Sequence, residues 1–121
     1  MSAQARLSFP NGLSFCGEVI QIVPWGRRLF VDSISFQGVS LGGQGLLKVT
    51  TMVAGQVKSY VIPAIRKNPV FAPEVVSGAA AIDLVADPGT AVLVTFHRSF
   101  DASKSGATLV AVSLAGRYAE L

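Results

Sequence analysis

Apolar residues along this chain come in short runs rich in β-branched and aromatic side chains, and Gly, Pro, Asn or Asp residues separate the runs. This pattern is typical of β-strands, and no stretch repeats its apolar residues with the 3.6-residue period of a helix. The pattern predicts strands at residues 6–9, 13–23, 27–36, 46–53, 56–62, 69–76, 80–86, 90–98 and 107–118. Strands of this number and spacing predict an all-β fold, namely an antiparallel β-sandwich of about eight strands.

Alternation inside the strands predicts which side chains face the core. In LLKVTTMV, one face carries Leu47, Val49, Thr51 and Val53, and the other carries Lys48 and Thr50. Asp83 similarly marks the outward side of its strand. The strands at 90–98 and 107–118 are apolar on both faces, so we expect them in the middle of the sandwich or under a partner.

Turn residues predict how several strands connect. Asp87-Pro88-Gly89-Thr90 has the sequence of a type II turn, which suits a corner better than a tight hairpin. Ala54-Gly55 predicts a two-residue hairpin loop. The glycine-rich residues 38–45 and the proline-rich residues 63–74 are interpreted as loops.

The length of 121 residues is that of one domain, so we expect a single β-sandwich over residues 1–121, with residues 1–9 forming an arm or an edge strand. Only 14% of the residues are charged, against about 25% in an average soluble domain. Charged residues, Gly or Pro interrupt every apolar stretch before it could span a bilayer. Residues 1–12 lack the pattern of a secretion signal, so synthesis in a cytoplasm is expected.

Candidate chemistry is sparse. The lone Cys16 is interpreted as a small buried residue, and the lone His97 as a structural or solvent-facing one. No ligand cluster with metal-binding spacing and no nucleophile with a base is present, so we expect neither an enzyme nor a cofactor or metal site. A net charge of +3 without a basic stripe interleaved with aromatics argues against nucleic-acid binding.

The stretch VPWGRRLF holds the only tryptophan of the chain, followed by two arginines. Trp25, Arg27 and Arg28, together with the second basic pair Arg66 and Lys67, are the candidate contact residues. Trp25 could stack on a sugar with an arginine beside it, or it could be a corner residue that packs against another protein. Because Arg27 and Arg28 lie on opposite faces of a strand start, the corner interpretation is favoured.

Four segments follow one another along the chain: the corner and strand VPWGRRLFVDSISF, the hairpin KVTTMVAGQVKSYVIP, the strand DPGTAVLVTF and the apolar strand GATLVAVSLAGRY. In this order they resemble small jelly-roll sandwich proteins of tailed-phage virions. The resemblance implies a structural virion protein, made in the host cytoplasm and located on the virion. We expect a capsid decoration (cement) protein that binds the major capsid protein or another virion protein and forms a homo-oligomer, with a trimer favoured. A carbohydrate-binding module or receptor-binding tip using Trp25, and a tail or baseplate assembly subunit, are the alternatives.

Overall fold

A computed structural model describes residues 1–9, 14–40, 45–67, 75–98 and 108–121. These described residues form nine β-strands and no helix, as the apolar pattern predicts. The strands are β1 (Ser2–Phe9), β2 (Phe15–Ile22), β3 (Arg27–Ser40), β4 (Gly45–Val53), β5 (Gln56–Pro63), β6 (Ile65–Lys67), β7 (Val75–Ala86), β8 (Ala91–Arg98) and β9 (Thr108–Glu120).

The described strands form two sheets with nested antiparallel pairing. One sheet has the order β1-β9-β3-β7-β6 and the other has the order β2-β8-β4-β5. The first strand pairs with the last, β2 pairs with β8, β3 pairs with β7, and β4 pairs with β5. A long hairpin of paired strands wound into two sheets is the jelly-roll form of the antiparallel β-sandwich, so the predicted fold class is confirmed. Ser2–Phe9 is an edge strand of the five-stranded sheet.

The core lies between the sheets and is filled by the inward-facing residues of both. Phe36 of the five-stranded sheet and Phe96 of the four-stranded sheet meet edge to face, with ring centroids 6.0 Å apart. Leu47, Val49 and Thr51 are buried while Thr50 and Lys48 are only partly covered, which confirms the alternation predicted for this strand. The two strands with apolar residues on both faces, β8 and β9, lie inside their sheets, as predicted.

Two corners carry the chain between the sheets at one end of the sandwich. The β7–β8 corner is the predicted type II turn, because Thr90 N donates to Asp87 O at 3.2 Å and Gly89 has a φ of 75°. At the β2–β3 corner, Arg27 N donates to Pro24 O and Gly26 has a φ of 84°. The β4–β5 connection is the predicted hairpin, with positive φ at Ala54 and Gly55.

The two loop predictions are wrong where the structure describes them. Residues 38–40 continue β3, and Gly45 begins β4. A Cβ on Gly38 would clash with the Leu109 carbonyl of β9, so this glycine allows a close strand approach and does not mark a loop. Pro63 ends β5, and Ile65–Lys67 forms β6 on the edge of β7. Residues 41–44 and 68–74, including most of the strand predicted at 69–76, lie outside the described residues.

Candidate functional site

The five predicted contact residues lie at two distant places on the five-stranded sheet. Trp25, Arg27 and Arg28 lie at and just after the β2–β3 corner. Arg66 is in β6, where its backbone aligns with Val76 of β7 and, through it, with Gly38 of β3. Gly38 is eleven residues along β3 from Arg27, a separation of roughly 35 Å at about 3.3 Å per residue. Arg66 and Lys67 therefore belong to the opposite end of the sheet from the tryptophan.

Trp25 packs against the neighbouring corner and remains 84% exposed. Its indole ring lies so close to Gly89 that a Cβ on that glycine would clash with the ring. The two corners are also joined by backbone hydrogen bonds, from Val23 N to Thr90 O at 2.9 Å and from Gly89 N to Val23 O at 2.8 Å. The corner thus holds the ring in place on one side and leaves the rest of it open to solvent.

The two arginines after Trp25 pair with different partners. Arg27 Nε lies 2.9 Å from Glu120 Oε1, and the Arg27 guanidinium lies over the Tyr118 ring, 5.7 Å from its centroid. Arg28 Nε lies 3.2 Å from Asp87 Oδ1. Each arginine therefore already has a carboxylate partner, and the two do not converge on one ligand position beside the tryptophan.

A much larger feature lies on the outer face of the four-stranded sheet. Strand register places residues from all four strands on this surface, which we call the apolar face. Among the described residues, it consists of Phe15, Gly17, Val19, Ile22, Leu46, Lys48, Thr50, Met52, Val57, Ser59, Val61, Pro63, Ala91, Leu93, Thr95 and His97. Lys48 is its one Lys, Arg, Asp or Glu residue. Seven large apolar side chains are exposed there: Phe15, Val19, Ile22, Met52, Val57, Val61 and Leu93.

Side-chain contacts confirm that these residues share a surface. The rings of Phe15 and His97 stack with centroids 5.9 Å apart, although the two residues belong to different strands. The hydroxyls of Thr50 and Ser59 lie 3.4 Å apart across the β4–β5 pair. His97 therefore lies on the outer side of the sheet, which fits its interpretation as a structural or solvent-facing residue.

The outer face of the five-stranded sheet has the opposite chemistry. Its centre is lined by Ser33, Ser35, Ala79, Ala81, Ala111, Ser113 and Ala115, and we call this surface the small-residue face. Shallow depressions cross it because these side chains are short. At its border, Arg117 Nη1 donates to Asp32 Oδ1 at 2.7 Å and the guanidinium lies over the Phe30 ring.

The described residues offer little catalytic or metal chemistry. No group of three or more His, Cys, Asp or Glu residues in this part of the chain is placed to hold a metal ion. Burial lowers the pKa of the Arg98 guanidinium from its ordinary value, yet an arginine so far above neutrality stays protonated. No helix among the described residues is long and apolar enough to cross a membrane.

The apolar face was not predicted from the sequence. Its residues come from four strands spread over residues 15–98, and only the register brings Phe15, Leu93 and Val57 onto one surface. One signal was visible, since β8 is apolar on both faces. In β5 the outward residues Val57 and Val61 are mixed with the exposed Lys58 and Tyr60, so that strand shows no clean alternation.

The chain matches no protein-family model, and comparison with curated proteins finds no significant match. The described residues form an antiparallel jelly-roll β-sandwich with a large apolar face on its four-stranded sheet.

Proposed function

We propose that this protein is a structural virion protein, specifically a capsid decoration protein that binds the outer shell through its apolar face and stabilises it. The observation that supports this proposal most directly is the outer face of the four-stranded sheet, where seven large apolar side chains are exposed around a single lysine. Depletion of charge with retention of large apolar side chains is characteristic of the buried centre of a protein interface.

The size of the apolar face suits a stable protein contact. Four strands about 4.8 Å apart and about eight residues long give a surface of roughly 20 by 25 Å, or roughly 500 Å². An apolar patch of that size is near the upper end of what monomeric proteins leave exposed, and it is often functional. Since a standard interface buries about 800 Å² on each partner, the apolar face would form the centre of such an interface and its border would form the rim.

The mechanism of stabilisation follows from mass action. A protein that binds the assembled lattice and not its separated subunits stabilises the lattice by its own binding free energy. By bridging neighbouring capsomers, each bound molecule would oppose their separation. This mechanism needs only non-covalent binding, with no covalent step and no cofactor.

Thermal stability of particles tests the decoration role. Particles stripped of the protein are expected to lose their shells at a lower temperature than coated particles, and adding purified protein is expected to restore the difference. Equal survival of bare and coated shells would contradict the proposal.

A matched pair of lysine substitutions tests which face binds. Leu93→Lys places a charge at the centre of the apolar face, and Ser113→Lys places the same charge at the centre of the small-residue face. Co-sedimentation with stripped particles should be lost for Leu93→Lys and retained for Ser113→Lys. If both variants bind, or if only Ser113→Lys fails, the apolar face is not the docking surface. Binding to tails or baseplates with no binding to shells would instead favour the alternative assembly role.

Trp25 supports a second candidate, a receptor-binding or carbohydrate-binding tip. An indole that is 84% exposed and held in place against Gly89 has the form of a stacking platform. The ion pairs of Arg27 and Arg28 weaken this candidate, since neither arginine is left to bind the polar edge of a sugar at that ring. A glycan array with the native protein and with Trp25→Ala distinguishes the two, because this candidate requires a signal that the substitution abolishes.

A further inference from the structure

The free edge of the four-stranded sheet is formed by β5, which pairs with β4 alone in the described part of the chain. Residues 56–61 are all exposed, so within the described part of the chain this edge remains accessible to a partner. An uncovered edge strand of this length offers unpaired N–H and C=O groups to another strand. The residues of β5 therefore determine which strand can pair with this edge.

Hydrogen-bond alternation shows which backbone groups point to that edge. Ala64 N donates to Gly45 O at 2.9 Å, so the Gly45–Ala64 pair is a hydrogen-bonded one. Counting back by twos, residues 62, 60, 58 and 56 also bond to β4. A second hydrogen bond supports this alternation. Met52 O accepts from Asp87 N, so this carbonyl points away from Val57, the residue opposite it in β5. The N–H and C=O groups of Val57, Ser59 and Val61 point outward, and Pro63 points only a C=O outward.

This edge is self-complementary about Ser59. An antiparallel copy centred there pairs Ser59 with Ser59, and Val57 with Val61 in both directions, giving six backbone hydrogen bonds. Lys58 then lies opposite Tyr60 of the second copy, where an ammonium can lie against an aromatic face. A pairing centred on Lys58 would instead place the two Lys58 side chains, one from each copy, opposite each other, and their like charges would repel. Centring on Tyr60 would place Pro63, which has no N–H, opposite Val57.

We propose that two copies of this chain associate through β5, antiparallel and centred on Ser59, so that their four-stranded sheets join into one sheet of eight strands. The two apolar faces then become a single continuous surface, because Val57 and Val61 of each copy meet at the junction. This association is two-fold, unlike the trimer that the sequence resemblance implies. It does not depend on what the apolar face binds.

The first test measures the mass of the intact protein in solution by sedimentation at increasing concentration. A species of twice the 12.6 kDa chain mass is expected. Ser59→Pro removes the outward N–H from the centre of the pairing and leaves the bonds to β4 intact. Losing two central hydrogen bonds should weaken association about 100-fold, at about tenfold each. Ser59→Thr keeps the N–H and should remain dimeric. A wild-type monomer or trimer at about 100 µM, or unchanged dimerisation of Ser59→Pro, would overturn the proposal.

The second test does not depend on how Ser59→Pro folds. Ser59→Cys places two thiols opposite each other across the two-fold axis, with Cα atoms about 5.5 Å apart, within the range that a disulfide spans. Ser35→Cys, on the small-residue face, is the matched control, and wild type reports any linkage through Cys16. Mild oxidation should link Ser59→Cys into covalent dimers well above both controls. Equal linkage in all three proteins would contradict the two-fold pairing.

Discussion

The two outer faces of the sandwich are made from strands of the same fold and have opposite surfaces. The apolar face exposes Phe, Val, Leu, Ile and Met side chains, whereas the centre of the small-residue face exposes Ala and Ser. Both faces lie above an equally apolar interior, because inward residues of both sheets fill the core. The fold therefore needs only the inward half of each strand. The outward half can therefore differ between the two sheets, and the difference is consistent with the proposed function, in which the apolar face is the one that docks onto a partner.

The largest expected effect compares the two sides of one strand, β8. Phe96→Ala removes a fully buried ring between the sheets and should lower the free energy of unfolding by about 3 to 5 kcal/mol. Leu93→Ser, on the apolar face, should lower it by only about 1 to 2 kcal/mol, since this side chain is already 40% exposed. Urea denaturation measures both. A large loss for Leu93→Ser would mean that the apolar face serves the stability of the isolated domain, and the distinction between the faces would fail.

The next effect concerns the Asp87 contacts that connect the two sheets. Asp87 in the β7–β8 corner accepts from Arg28 Nε of the five-stranded sheet and, at 2.7 Å, from Ala54 N of the β4–β5 hairpin. Asp87→Ala should lower the free energy of unfolding by about 1 to 2 kcal/mol, because it removes both contacts of a partly exposed carboxylate. Thermal unfolding measures this change. The exposed Asp83 provides the control. An equal loss of stability for Asp83→Ala would show that removal of a negative charge, and not loss of the Asp87 contacts, causes the effect.

A smaller effect compares inward and outward threonines of β4. The Thr51 hydroxyl is buried, and no hydrogen-bond partner for it lies among the described residues. Thr51→Val keeps the shape and should raise the free energy of unfolding by about 1 kcal/mol, because an unpaired buried hydroxyl is removed. Thr50→Val, on the apolar face, should change stability by less than about 0.5 kcal/mol. Chemical denaturation of both variants would refute this expectation if Thr51→Val proved the less stable of the two.

The smallest effect asks whether the small-residue face must stay small. Ala79 is exposed at the centre of that face, and valine has the higher strand propensity. Ala79→Val should therefore leave the protein equally stable or raise its stability by about 0.5 kcal/mol, with particle binding unchanged. Calorimetry and co-sedimentation measure the two properties. Loss of binding would show that a partner approaches this face closely, and both faces would then be interaction surfaces.

Local chemistry was enough to predict most of the fold. Pro88 and Gly89 specify a turn by their own backbone preferences, and Ala54-Gly55 is a short break that follows the clearly alternating strand β4. The loop expected at residues 38–45 was wrong for residues 38–40, because Gly38 allows a close contact with Leu109, about seventy residues away. Strand β6 was also missed, because residues 63–74 are rich in proline and the strand forms by pairing with β7.

The candidate site was harder to predict because it depends on register. Trp25 was a candidate because it is the single tryptophan, and the structure places it at an exposed corner. The two arginines after it form ion pairs with different partners, Glu120 and Asp87. Neither partner could be assigned from spacing along the chain. The apolar face required the pairing of four strands before Phe15, Leu93 and Val57 could be placed on one surface. Within a single strand, the apolar residues on both faces of β8 were the visible signal.

The pairing of the first strand with the last also constrains how the chain folds during synthesis. The β4–β5 hairpin needs only a two-residue loop, so it can form as soon as both strands are free. Strand β1 must wait for β9, about one hundred residues later, which at about 5 to 20 residues per second is a delay of roughly 5 to 20 s. Throughout that time β1 and β3 lack the strand that separates them in the finished sheet. Completion of the five-stranded sheet is therefore a late event, and the nascent protein exposes the apolar inward residues of β1 and β3 until β9 has been synthesised.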